Sequence, residues 1–185
     1  MSAIKNSCAT ISGISEYDLC TPNMGGIARL WVCNRTDVES ITTGTSQTIV
    51  GNCITDIEMA SGKTFQEVFI KKNTCSMTSE LQIGDGSSYV QTTLEIALRR
   101  QDSQKRMFIN SMILGECYVI VEDSNHYKTL LGYDEPVVCS AGGAETGTAK
   151  GDINQYTLSL QDESLDYPFE VEESAFLAAI GEDNE

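Results

Sequence analysis

The strongest constraint on this chain is an alternation of apolar and polar residues with period two, repeated along most of its length and broken once. Leu94, Ile96 and Leu98 alternate with Thr93, Glu95, Ala97 and Arg99. Tyr156, Leu158 and Leu160 alternate with Thr157, Ser159 and Gln161, and Cys75, Met77, Ser79 and Leu81 with Ser76, Thr78, Glu80 and Gln82. Successive strand side chains point to opposite faces, so this pattern buries one face of a sheet and wets the other. Asp85-Gly86, just before Tyr89-Val90, tolerates positive φ and predicts a hairpin. Tyr118 to Glu122 and Tyr127 to Tyr133 form a second predicted pair around Asp123-Ser124-Asn125. Further strands are expected at 27–34, 47–51, 53–59, 64–71 and 135–139.

The break falls between Asp102 and Leu114. Phe108 and Met112 lie four apart, as do Ile109 and Ile113, which makes one apolar helical stripe. Asp102 or Ser103 suits the N-cap, and Gly115 suits a left-handed residue closing the helix. Lys105 and Arg106 stand near the start, where the helix dipole disfavours cations, so the stripe must pack on a sheet. The expected fold is therefore mainly β: an antiparallel β-sandwich or partly closed barrel with one flanking α-helix at about 102–114. A chain of 185 residues suits a single such domain, set at 25–171 between an N-terminal arm, 1–24, and an acidic C-terminal arm, 172–185. The stretch 140–151, with glycines at 142, 143, 147 and 151, is expected to be a long loop that orders against another chain.

Charge and cysteine narrow the function classes. The chain carries 12 Lys+Arg against 27 Asp+Glu, a formal charge of −15, too acidic to coat nucleic acid through phosphate contacts. Nine of the acids fall within 161–185, a stretch with no cation. Within it, Ser174 to Ile180 is either a short helical turn packed on a neighbour or part of a frayed terminus. No apolar run approaches the roughly 20 residues of a bilayer span, so no membrane anchor is expected. Met1 to Thr10 lacks the apolar stretch of a signal peptide, which points to synthesis in a cytosol with reduced thiols. The seven cysteines (8, 20, 33, 53, 75, 117 and 139) form no Cys-x-x-Cys pair and no zinc spacing with His126. Several lie in apolar strand patterns and read as small buried hydrophobes.

Motif-like fragments fail their own structural tests. Gly62-Lys63-Thr64 resembles the end of a phosphate-binding loop, but the required first glycine is Ile57. Asp152-x-Asn154 with Glu163 matches part of a calcium loop, but Thr157 stands where its turn needs glycine. His126, the single histidine, has no partner in sequence for acid–base work. No catalytic residue, cofactor or metal site is assigned.

Three segments carry a resemblance. Gly25 to Asp37 (GGIARLWVCNRTD), Ile120 to Pro136 (IVEDSNHYKTLLGYDEP) and Thr146 to Leu160 (TGTAKGDINQYTLSL) are similar in kind and order to tail tube (major tail) proteins of long-tailed bacteriophages, of the kind found in phages of gut anaerobes. So is the strand and helix from Ser88 to Glu116. The resemblance covers 25–171 and implies a β-sandwich assembled as hexameric rings, stacked head to tail into a hollow tube in the virion tail. The subunit would be made in the bacterial host cytoplasm and would meet other tail, neck or baseplate proteins. DNA would pass through without tight binding, repelled by acids facing the lumen. The alternative role for the acidity is to keep a self-assembling monomer soluble. Expected subunit contacts are Lys63, Phe65 and Phe69 in a 60–75 hairpin, Gly142, Gly143 and Thr146 in the glycine-rich loop, and Phe176 and Leu177 in the acidic arm. Rival readings are a neck or tail-completion ring, a capsid decoration protein, a carbohydrate-binding adhesin and, last, an acidic hydrolase. Aromatics at 7% speak against the adhesin, whose clefts use ring platforms.

Overall fold

The computed structural model describes residues 23–181 apart from 48, 50 and 85. Almost all of the predicted N-terminal arm therefore lies outside the described residues, as do Cys8, Cys20, Asp85 and the acids Glu182, Asp183 and Glu185.

In chain order the strands are β1 (Ile27–Asn34), β2 (Val38–Thr45), β3 (Asn52–Met59), β4 (Gln66–Glu67), β5 (Cys75–Ile83), β6 (Ser88–Arg99), β7 (Cys117–Asp123), β8 (Lys128–Leu131), β9 (Val138–Glu145), β10 (Gln155–Ser164) and β11 (Phe169–Glu170). The helices are α1 (Ser103–Leu114) and α2 (Glu173–Ile180). A five-stranded sheet runs β11-β8-β7-β1-β4, a four-stranded sheet β5-β6-β10-β9, and β2-β3 form a separate hairpin. Every pairing between these strands is antiparallel and no barrel closes, so the sandwich expectation holds.

The five-stranded sheet is buried on both faces, and the period of two decides which side chain goes where. Cys117, Val119 and Val121 of β7 join Leu30, Val32 and Leu131 against Leu94, Ile96, Leu158 and Leu160 of the four-stranded sheet. Tyr118 and Ile120 point the other way, into a second core with Trp31, Cys33, Ile54, Phe65, Leu130 and Phe176. The β2-β3 hairpin and α2 cover that second face. Each fully buried Leu or Ile contributes roughly 1.5–3 kcal/mol, so a strand feeding two cores anchors both. At one end the first core finishes in polar residues: the Ser79 and Thr92 hydroxyls lie 2.8 Å apart, and buried Asp162 accepts from the Gly132 N–H at 3.1 Å.

Four expectations are corrected. The stretch 140–151 is not a loop: β9 extends to Glu145, paired to β10 with a bulge at Ser140. Ala141-Gly-Gly-Ala144 hides its strand character because it has almost no side chain to alternate. A Cβ on Gly142 would sit 3.2 Å from the Thr157 carbonyl, so the bare backbone permits this close packing. The predicted 60–75 hairpin does not form, since only Gln66–Glu67 pairs, with β1. The predicted 47–51 strand is also absent among its described residues. The strand lies earlier, at β2, where register shifts beside Ser40 and Thr43 break the alternation that would reveal it. Lastly, 172–181 is no arm. α2 docks on β3 and buries Ala175, Phe176 and Ala179, anchored by Glu172 N–H to the Ile54 carbonyl at 2.9 Å.

α1 forms as expected with a different ending. The Asp102 carboxylate accepts from the Lys105 N–H at 2.9 Å and pairs with the Lys105 ammonium. That pairing answers the misplaced cation and holds Asp102 below the usual carboxylate range. Gly115 is extended (φ −109°), not left-handed. It is required for closeness instead, because a Cβ there would meet the Ser111 carbonyl at 2.8 Å. Only Met112 is fully buried, with Phe108 and Ile109 beside it, while Ile113 faces solvent.

Candidate assembly surfaces

The expected contact residues divide into three groups. Phe65, Phe176 and Leu177 come together in the second core: Phe176 meets Trp31 edge-on with ring centroids 4.7 Å apart, and the Phe65 N–H donates to the Ala179 carbonyl at 3.0 Å. Phe65 and Phe176 are buried within one chain and have no surface to offer a neighbour. Lys63 is exposed in the turn after β3 and pairs with Asp37 at 3.2 Å; a bond from the Asn34 amide, and then this pairing, hold the Asp37 carboxyl below its usual value. Phe69 stands 85% exposed near the start of α1. Gly142, Gly143 and Thr146 lie on or just past β9, the edge of the four-stranded sheet.

That sheet is unfinished in two directions. β5 and β9 each pair on one side, and among the described residues nothing pairs with the other. Both are long, and between them they carry one Glu each, no Lys and no Pro. Proteins that must stay single usually blunt such edges with charge, proline or shortness. By contrast, the edges of the five-stranded sheet, β4 and β11, are two residues long.

The outer face of the four-stranded sheet is also uncovered. The registers place Thr78, Glu80, Gln91, Thr93, Glu95, Thr157, Ser159, Gln161 and Glu163 there, opposite the core-facing set. Glu145 at the β9 terminus faces the same way, its carboxylate taking a bond from Gln155 Nε2 at 2.6 Å. Arg99 is the one cation at these positions. The face is thus neutral-polar with scattered carboxylates, and nothing apolar on it demands a greasy partner. A hollow of about 380 Å³ on this sheet is floored by Ala97, Gly142 and Gly143 and has no aromatic ring in its lining.

Other chemistry-bearing residues have structural work. His126, in the β7–β8 turn, is exposed, with Nδ1 2.8 Å from a Glu122 carboxylate oxygen. Asp152 accepts from the N–H groups of Ala149 and Thr148, both at 2.7 Å, and from the Thr148 hydroxyl. These bonds hold its pKa low and shape the 146–154 turn. Cys33, Cys53, Cys75, Cys117 and Cys139 are free thiols, and burial pushes Cys33 and Cys117 up to about 12. Among the described residues no cluster of His, Cys, Asp and Glu could hold a metal ion, and no helix is long and apolar enough to cross a membrane. The open edges were missed from sequence because a strand pattern does not say how many neighbours a strand has. Compared with known proteins, the chain matches no family model, no curated protein and no solved structure.

Proposed function

We propose that this chain is a tail tube subunit of a long-tailed bacteriophage, whose copies join edge to edge into rings that stack into a conduit for DNA. The observation that carries this reading is the four-stranded sheet, with two long open edges that hold no Lys or Pro and an uncovered polar face. If β5 of one copy pairs with β9 of the next, the backbone groups left open in the monomer are satisfied and the sheets continue around a ring. Such a contact is heterologous and closes when the rotation per copy divides a full turn. The uncovered face then lines the hole. Its carboxylates, Glu80, Glu95, Glu145 and Glu163, repel phosphates, while its Ser, Thr and Gln side chains form no apolar trap. A basic lining would instead hold DNA by counterion release. The stable part of the molecule, the five-stranded sheet with α2, forms the outer wall. An adhesin reading is weakened by the absence of an aromatic platform beside the hollow.

The test is electron microscopy of the purified chain over a concentration series, beside a variant carrying Thr78→Lys and Ala141→Lys. Closed rings or tubes from the parent, and folded monomers from the variant, are the expected results. Edge lysines cost the isolated fold less than about 0.5 kcal/mol at such exposed positions. A parent that stays monomeric to its solubility limit, or a variant that assembles equally well, overturns the reading.

A further inference from the structure

The charge on the four-stranded sheet is sorted by end. β5 and β10 run from one end to the other and β6 and β9 return, so the loops 71–74, 100–102 and 146–154 share one end. The loops 84–87, 132–136 and 165–168 share the opposite end. The 12 residues of β6 set the ends roughly 35–40 Å apart.

Cations crowd the first end. Lys71 and Lys72 precede β5, Arg99 and Arg100 close β6, Lys105 and Arg106 open α1, and Lys150 lies before β10. Their local acids are Asp102, paired with Lys105, Glu145, bonded by Gln155, Asp152, capping its own turn, Glu67, paired with Arg29, and Asp123, which shares a hollow with Cys75 and Ser76. Lys71, Lys72 and Lys150 are exposed and form no ion pair among the described residues. Phe69, Met107 and Ile153 add exposed apolar area, at 85%, 67% and 45%.

The second end is the reverse. Asp134, Glu135, Glu163 and Asp166 gather there with Glu80 near the end of β5, and residues 76–98, 129–149 and 151–185 contain no Lys or Arg. Among the described residues, Arg35, in the turn after β1, comes near this end, bonding the Gly132 carbonyl at 3.5 Å and lying over Tyr118, and Lys63 pairs with Asp37 of the same turn. Leu81, Ile83, Leu165 and Tyr167 stand exposed among these acids, Ile83 at 79% and Leu165 at 76%.

We propose that these two ends are complementary docking faces for copies of this same chain, the basic end of one seating on the acidic end of the next. Each end joins an apolar centre to charge of one sign, and the signs are opposite. Like ends repel and unlike ends attract, so charge fixes the polarity of the stack. Screening within about 8–10 Å confines this to contact range, where the apolar side chains meet. The contact deepens the self-assembly reading by supplying its axial partner. It uses side chains and loops at the strand ends, whereas ring closure uses the open backbone edges of β5 and β9, so the two can fail separately.

The experiment uses the full chain in three forms: the parent, an acid-for-base form (Lys71→Glu, Lys72→Glu, Lys150→Glu) and a base-for-acid form changed only in the loops of the second end (Glu135→Lys, Asp166→Lys). Unchanged circular dichroism establishes that each is folded. Sedimentation and electron microscopy then read stacking. Each charge-changed form alone is expected to need about ten-fold more protein, or beyond, to stack. Mixing the two preformed populations is expected to restore stacks near the parent concentration, because unlike ends again face each other. Variants that stack alone as readily as the parent, or a mixture that does not recover, overturn the proposal. If the parent forms linear oligomers without rings, the edge pairing fails and the end contact stands on the same mixing rule. If it forms neither, both fail.

Discussion

The two sheets of this molecule are built from the same kind of strand and end in opposite conditions. The five-stranded sheet is buried on both faces and trails off in two-residue edges. The four-stranded sheet is buried on one face, wet on the other, and stops abruptly at two full-length edges. The difference separates two tasks. Stability concentrates where strands feed two cores, and unsatisfied bonding capacity concentrates where a sheet has one. A subunit that must fold first and assemble later gains from keeping these apart, because a change on the assembling sheet then leaves the monomer intact.

The hardest blow to the comparison is aimed at the doubly buried side. Phe176→Ala removes the ring that closes the second core against Trp31, and a loss of roughly 3–5 kcal/mol is expected. Urea unfolding measures it, and a loss under about 1 kcal/mol would mean that α2 contributes little and that 172–181 is an arm after all.

A smaller effect comes from the polar end of the first core. Burial raises the Asp162 pKa, against the lowering bonds from Ser164 and Gly132, and Asp134 and Glu135 add to the rise. A carboxyl that binds its proton more tightly when folded favours the native state most at low pH. That contribution fades as pH climbs through the raised folded value. Asp162→Asn keeps an acceptor for the Gly132 N–H and abolishes the titration. Its stability relative to the parent should therefore improve between about pH 4 and about pH 7. Equal differences at both pH values would show that the carboxyl does not titrate in this range.

The smallest effect tests the wet face. Thr93→Ala, in the middle of the outer face of β6, should change unfolding by no more than about 0.5 kcal/mol. A larger loss would show that something in the monomer already covers that face.

Much of this was legible before any coordinates. The alternation in β5, β6 and β10 named the strands and, in β6 and β10, their buried residues, while Leu81 of β5 stands exposed, and the Phe108/Met112 spacing with Asp102 placed α1. The signal failed where side chains stop reporting backbone. At Ala141 to Ala144 there is too little side chain to alternate, and in β2 the bulges shift the phase. Gly115 was identified correctly as necessary and for the wrong reason, since a left-handed turn and a close carbonyl ask for the same residue.

The candidate surfaces divide the same way. The −15 and its concentration in 161–185 are properties of the sequence. So are the absence of phosphate-loop and calcium-loop patterns and the period that makes the chain a β protein. Which strands stand at an edge, which face stays wet and which charges share an end are settled by strand order. Strand order joins residues such as Lys71, Arg100 and Lys150 that lie far apart along the chain. Local pattern fixes what each strand buries, because a side chain's direction depends on its immediate neighbours. Long-range pairing fixes what each strand leaves open, because an edge exists only relative to the partners a strand lacks.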